Sequence, residues 1–221
     1  MKRMIQLAAG LALVSSALVA STAAAEVSYN IGWASEYYYR GLLQKESSGS
    51  AGIDFEEGGF FVGAWTADVG DGLEVDGYFG YGIETESGFT ASVGFTGYYY
   101  TGGFDDTYEE INLNFGYGIA SLEYSFGQYA NFSGPEQDYD FIALTLDFGA
   151  GFYGTYGTFG GDFDGGYLEV GYGTTISDID FGLSAIFSSE ELSDQCDISC
   201  ELDGARSERG EALVFTIGKT F

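Results

Sequence analysis

Side chains along this chain alternate in character with a period of two almost from end to end, and no other feature limits the fold as tightly. Val27, Tyr29, Ile31, Trp33, Tyr37 and Tyr39 alternate with Ser28, Asn30, Gly32, Ala34, Glu36, Tyr38 and Arg40. Successive side chains of a strand point to opposite faces, whereas a helix repeats every ~3.6 residues. The first segment therefore reads as a strand with one apolar, aromatic face and one small or polar face.

The same pattern recurs. Ala51, Ile53 and Phe55 oppose Asp54 and Glu56; Phe61, Trp65, Ala67 and Val69 share a parity; Leu73, Val75, Phe79, Tyr81 and Ile83 oppose Glu74, Asp76 and Tyr78. It continues through Phe89–Tyr99, Ile111–Tyr117, Leu122–Phe126, Ile142–Phe148, Leu168–Tyr172, Ile179–Phe187 and Leu213–Phe221, with 152–159 the least regular. Twelve strands are expected. Short connections fall near 57–59, 85–88, 118–120, 149–151 and 174–178. Longer, acidic, glycine-rich ones fall near 41–48, 69–72, 101–106, 131–138, 160–165 and 188–208. Alternating short turns and long loops is the sequence form of an up-and-down transmembrane β-barrel with short periplasmic turns and longer extracellular loops.

The first 25 residues have a different character. Lys2 and Arg3 precede an Ala/Leu-rich apolar run, and Ala23-Ala24-Ala25 offers a small-x-small cleavage pattern. Residues 1–25 thus read as a cleaved signal peptide and 26–221 as a single barrel domain. Beyond residue 26 no apolar run approaches the ~20 residues of a membrane-spanning helix, but a barrel strand needs only ~9–11. A water-soluble sandwich or lipocalin-like barrel has the same alternation. Three features favour the membrane: aromatic residues near strand ends, strands of nearly spanning length, and a final strand ending on Phe221, the form of an outer-membrane assembly signal. The expected location is the outer membrane of a Gram-negative bacterium. The expected partners are the lipid bilayer, lipopolysaccharide and the barrel-assembly machinery.

Charge now becomes informative. The chain holds 34 Asp and Glu against 7 Lys and Arg, with no histidine. Such acidity repels a phosphate backbone, so no nucleic-acid partner is expected. Without imidazole a Ser–His system cannot be built, and neither catalysis nor a cofactor is expected. Two thiols without histidine need further ligands to hold a metal, so no metal site is expected either.

The segment Ser35-Glu36-Tyr37-Tyr38-Tyr39-Arg40-Gly41-Leu42-Leu43-Gln44 resembles the "S-x-Y-x-Y/F-R-G-x-x-Q" opening of the TorF family of porin-like outer-membrane proteins. Gly63-x-Trp65, Glu74-x-Asp76-x-Tyr78-x-Gly80-Tyr81, Gly97 to Gly103 before Tyr108-Glu109-Glu110, and Cys196-x-x-x-Cys200 ahead of a final Gly218-Lys219-Thr220-Phe221 extend it. The resemblance implies an exported outer-membrane barrel and names no substrate.

Parity places Glu36, Asp54, Glu56, Glu74, Asp76, Glu84, Glu110, Glu123, Asp147, Glu169 and Asp180 inward, with Arg40 the only inward cation of a strand. Carboxylates cannot face hydrocarbon cheaply, which explains their parity but not their excess over bases. Uncompensated negative charge on a narrow wet wall attracts cations. The expected pore-lining set is Glu36, Arg40, Asp54, Glu74, Asp76, Tyr78, Tyr98, Glu110, Glu123 and Glu169. Arg40 is expected to bridge two or more of Glu36, Glu74 and Asp76, either as a structural clamp or in contact with solute. Inward tyrosines (Tyr38, Tyr78, Tyr98, Tyr100, Tyr108) either fill the lumen over inward glycines or offer sugars a stacking track. Cys196 and Cys200 are the only cysteines, and in an oxidising periplasm they are expected to pair. The expected function is a cation-preferring, porin-like channel for small hydrophilic solutes. The alternative is a non-conducting structural or adhesive barrel displaying acidic loops. A homo-oligomer is expected by porin analogy alone.

Overall fold

A computed structural model describes residues 25–193 and 210–221. Residues 1–24, most of the expected leader 1–25, and the pair Cys196 and Cys200 lie outside the described residues. Twelve strands follow one another: β1 (Glu26–Tyr39), β2 (Leu42–Glu57), β3 (Phe60–Gly70), β4 (Gly72–Glu84), β5 (Thr90–Tyr100), β6 (Tyr108–Tyr117), β7 (Ala120–Tyr129), β8 (Gln137–Gly149), β9 (Phe152–Gly161), β10 (Gly166–Ile176), β11 (Ile179–Ser188) and β12 (Glu211–Thr220). A one-turn helix, α1 (Glu190–Ser193), precedes β12. Each strand pairs antiparallel with its neighbours, and β1 pairs β12 to close the barrel. The seam closes through the last residue: Phe221 N–H donates to Tyr29 O at 2.8 Å, and Tyr29 N–H returns to Phe221 O at 3.2 Å.

At the end carrying the termini the turns are tight. Gly58-Gly59, Ala150-Gly151 and Ser177-Asp178 each have positive φ at both positions, the type I′ form whose twist matches a hairpin. At the far end the expected lengths need correction. β1 and β2 are joined by Arg40 and Gly41 alone, and β3 and β4 by Asp71 alone. The residues read as loops at 41–48 and 69–72 are almost all strand. Their serines, glycines and charges suggest a loop to a composition reading, but most pair across a ladder.

Outside, the barrel is apolar. Ile53, Phe79, Tyr81, Val93, Phe126, Ile142, Leu144, Val170, Leu183 and Phe215 are all exposed. Acids on this outer parity, Glu109, Asp138, Asp140 and Glu211, sit near the far end of their strands. The interior holds two clusters of buried side chains, one around Tyr37, Trp65, Ala67, Val69 and Tyr78, the other around Tyr129, Tyr139, Phe141, Phe159, Tyr167 and Val214. Strand β3 therefore departs from the simple parity rule. Phe61, Trp65, Ala67 and Val69 face inward, and Phe60, Val62 and Ala64 face out. The rule that apolar residues face lipid fails where the interior itself is packed rather than wet. The irregularity at 152–159 has the same cause, since the inward residues of β9 include Tyr153 and Phe159.

Bulky rings fit inside because small residues lie beneath them. Gly63 pairs in register with Tyr78, and a Cβ added at Gly63 meets the Tyr78 ring at 2.5 Å. Outward-facing Gly77 has open space at the same position. Gly63→Val is therefore expected to lower barrel stability by roughly 1–3 kcal/mol through overpacking, while Gly77→Val is close to neutral. Thermal melting of both variants in one detergent checks the contrast.

Candidate functional site

The hairpin formed by the ends of β1 and β2 leaves the wall and enters the lumen. The β1–β12 ladder stops at Ala34–Thr216, and beyond it Phe215 N–H donates only to Ser35 Oγ, at 2.9 Å. On the other side the β2–β3 ladder stops at Ser50–Ala67. Between these points the two arms keep pairing with each other, through Glu36–Glu46, Tyr37–Lys45, Tyr38–Leu43 and Tyr39–Leu42. A register shift between Tyr37 and Tyr38, with a positive φ of 58° at Ser47, redirects the arms. Parity alone puts Tyr37 and Tyr39 on the outer face. The structure puts them in the lumen, because this stretch no longer belongs to the wall.

Arg40 occupies the tip. Its φ of 47° and the 83° of Gly41 make a type I′ turn. A left-handed conformation costs a non-glycine residue roughly 1–2 kcal/mol, so interactions of the side chain must offset it. They are extensive. Nη1 and Nη2 meet the Glu110 carboxylate at 2.8 and 2.9 Å, and Nη2 also reaches Glu123 at 2.6 Å and Ser125 Oγ at 3.2 Å. The guanidinium lies 4.1 Å from the Phe141 ring centre and 5.0 Å from that of Tyr39. Glu110 is 1 % exposed and accepts further bonds from Tyr39 Oη (3.1 Å), Tyr139 Oη (3.0 Å) and Asn112 Nδ2 (2.9 Å). The expected partners of Arg40 were Glu36, Glu74 and Asp76, but the pairing runs across the barrel to β6 and β7 instead. Hairpin order brings those three acids near the base of the arms, whereas the tip reaches the opposite wall.

The other singled-out residues also project inward. Glu74 accepts from Tyr37 Oη at 2.8 Å, and Asp54 accepts from Tyr78 Oη. Tyr98 shares a hydroxyl contact with Tyr39 at 3.0 Å. Glu169 accepts from Tyr153 Oη at 2.5 Å and, with Glu36 and Ser184, lines a cavity of about 20 Å³, room for about one water. Asp76 is fully buried between the register partners Trp65 and Tyr98, and neither of its oxygens has a hydrogen-bond partner among the described residues. Sequence reasoning missed Tyr37, Tyr39, Tyr139 and Phe141 as parts of the site. The signal available was the Arg40-Gly41 pair, a turn dipeptide inside an otherwise continuous alternation.

Above the hairpin, at the far end, lies a cavity of about 280 Å³. Its floor is Tyr38, Tyr39 and Leu42 to Gln44, and its walls are rings from β5, β6, β8 and β9. Leu192 of α1 is buried against the same cluster. Below this cavity the interior is packed.

A family model matches residues 19–195. The chain belongs to the Gcw_chp family of bacterial proteins of unknown function. No curated protein matches it. Among solved structures, a chain from work on in-meso crystallisation of membrane proteins aligns at a TM-score of 0.51 and 9 % identity, covering 88 % of this chain and 83 % of that one. This Gcw_chp chain therefore shares its barrel fold with a solved chain at very low identity. Acinetobacter baumannii OccAB2 aligns at 0.42 and 11 % identity, over 87 % of this chain and 59 % of that one. Pseudomonas aeruginosa OccD3 (OpdP) aligns at 0.40 and 14 %, over 89 % and 60 %. The chain spans about three-fifths of those two proteins.

Substitutions at two positions in the lumen are expected to act with opposite sign. Arg40→Ala leaves Glu110 buried without its cation, a change that costs about 3–5 kcal/mol. Arg40→Lys is not expected to restore it, because an ammonium cannot span two carboxylates in the guanidinium's planar geometry. Asp76→Asn removes a buried carboxyl whose ionised form has no partner among the described residues and is expected to raise stability at neutral pH. Chemical or thermal unfolding of the three variants in one detergent measures all three effects.

Proposed function

We propose that this chain is an outer-membrane, porin-like channel that prefers cations and admits small hydrophilic solutes. The observation that carries this is the distribution of side chains around one closed barrel: aliphatic and aromatic residues outside, carboxylates inside. Strands of 10–16 residues are long enough to cross a bilayer. Lipid-exposed backbone must be fully hydrogen-bonded, which a closed barrel achieves. In this reading residues 1–25 are a secretory leader and Phe221 is the assembly signal. The termini face the periplasm, and the far end meets lipopolysaccharide. Cys196 and Cys200 form a disulfide in the far-end loop. Assembly as a homo-oligomer is part of the same proposal. The Ser35–Gln44 segment further supports placing the chain with the TorF porin-like proteins.

Cation preference rests on the lumen acids. Glu74, Asp76, Asp54 and Glu169 face inward and none forms an ion pair with a described Lys or Arg. Arg40 is offset by two carboxylates, so inward acidic side chains outnumber inward basic ones, which favours cations over anions.

The inserted hairpin favours a second reading, a non-conducting barrel. Conduction needs a path beside the hairpin or a displaced hairpin. Planar-bilayer recording separates the two. The channel reading expects small steps reversing near the cation potential in a salt gradient, and larger steps for Arg40→Ala. Silence of both proteins across several lipids and salts supports the structural barrel. Membrane insertion has its own test: Leu144→Arg, on the outer belt, is expected to weaken folding into vesicles by about 2–4 kcal/mol.

A further inference from the structure

The cavity above the hairpin has a chemistry of its own, and we propose that it is a binding site for a small organic ammonium ion. This names a solute class for the mouth of the proposed channel. It rests on the channel reading only for the side from which the solute arrives. The lining is built from Tyr39, Tyr100, Phe104, Tyr108, Phe163 and Asp105. Its rings contact one another at tilted angles: Tyr100–Phe104 centres lie 5.6 Å apart at 36°, Tyr100–Tyr108 6.5 Å at 70°, and Tyr108–Phe163 6.3 Å at 72°. Rings set at differing angles line the cavity with a mixture of faces and edges. Ring faces carry negative potential and attract a cation, best one whose charge is spread over alkyl groups that also bury apolar surface.

Asp105 supplies the formal charge. Its carboxylate is oriented by Tyr108 Oη at 2.8 Å and Tyr129 Oη at 2.7 Å. No described Lys or Arg pairs with it. The described cations are all placed elsewhere. Arg40, under the floor, is neutralised by Glu110 and Glu123, Lys45 is paired with Asp68, and Lys219 lies at the opposite end of the barrel. Among the described residues, an anionic solute finds no cation free to receive it. A neutral sugar can stack on the rings and bond the hydroxyls, but gains nothing from Asp105 as a charge. The volume, about 280 Å³, suits a compact solute rather than a chain.

The test uses the full-length mature protein in phosphatidylglycerol nanodiscs, which carry no choline headgroup, with empty nanodiscs as the blank. Calorimetry compares choline, its neutral isostere 3,3-dimethylbutan-1-ol, and glucose. The proposal expects choline to bind at least about tenfold more tightly than the isostere, a ratio in the range of a desolvated cation–π contact plus one carboxylate. Asp105→Asn and Phe104→Leu, each checked for the heat-dependent gel shift of a folded barrel, are expected to weaken choline at least about fivefold. Equal binding of choline and the isostere, binding of glucose in preference to choline, or no heat with any of the three overturns the proposal. Because unaltered protein is titrated first, a variant that fails to fold leaves the comparison standing. Binding is measured without a conductance, so an empty cavity and a silent bilayer are separate results.

Discussion

A lone guanidinium inside a β-barrel is costly, and the arrangement of this interior follows from how Arg40 is accommodated. Glu110 grips it with both oxygens, Glu123 adds a second carboxylate, and the rings of Phe141 and Tyr39 cover it. A buried ion pair of this kind adds little net stability over an apolar substitute, but breaking it is expensive. Its consequence is positional. The pair ties the tip of the β1–β2 hairpin to β6 and β7 on the opposite wall. Holding the tip there requires the arms to leave both neighbouring strands and the Arg40 backbone to adopt a left-handed conformation. Tyr37 and Tyr39 are then drawn inward, and their hydroxyls complete the coordination of Glu74 and Glu110. Ser188 Oγ, donating to Gly41 O at 2.6 Å, fixes the turn from a third side.

The hairpin divides the lumen into zones of different chemistry. Below it lie carboxylates held mainly by tyrosine hydroxyls, with Asp76 left unpartnered. Above it lies an aromatic cavity whose only lining carboxylate among the described residues is Asp105. From the far end inward the rings come first, then the floor made by Tyr38, Tyr39 and Leu42. The charge excess of the sequence is thus not spread evenly over a wet wall. Some of it is consumed by Arg40, some is buried in hydrogen bonds, and Asp105 lines the cavity of about 280 Å³.

Much of the fold was legible because period two survives wherever an apolar outer face backs a more polar inner one. Strands β4, β6, β7, β8, β10 and β11 show it plainly, for instance in Ile142, Leu144 and Phe148 against Ala143 and Asp147. Closure into twelve strands follows from the count. What parity could not deliver was the character of the inside. It assumes an apolar exterior and a polar interior, and β3 defeats it because Trp65 and Val69 pack in the lumen. The inserted hairpin was harder still. Tyr37 keeps the parity and the β1–β2 register of Trp33 and faces inward only because its stretch has left the wall, so the two cannot be told apart by alternation. The partners of Arg40 were unreadable for a related reason, since Glu110 and Glu123 are distant in sequence and come together only once the tip crosses the barrel. The inward carboxylates were easily found, as each lies on the parity opposite an apolar outer face.

The crossing of the lumen by Arg40 is the claim on which the rest depends, and its most direct measurement is solid-state NMR in lipid. Arginine labelled at the guanidinium nitrogens, with glutamate labelled at the carboxyl carbon, reports a through-space contact at close range. With nitrogen–oxygen separations of 2.6 to 2.9 Å to Glu110 and Glu123, a strong dipolar contact is predicted, and it disappears in Arg40→Lys protein. An arginine signal with no carboxyl neighbour that Arg40→Lys abolishes, in a barrel that is otherwise folded, would contradict the account.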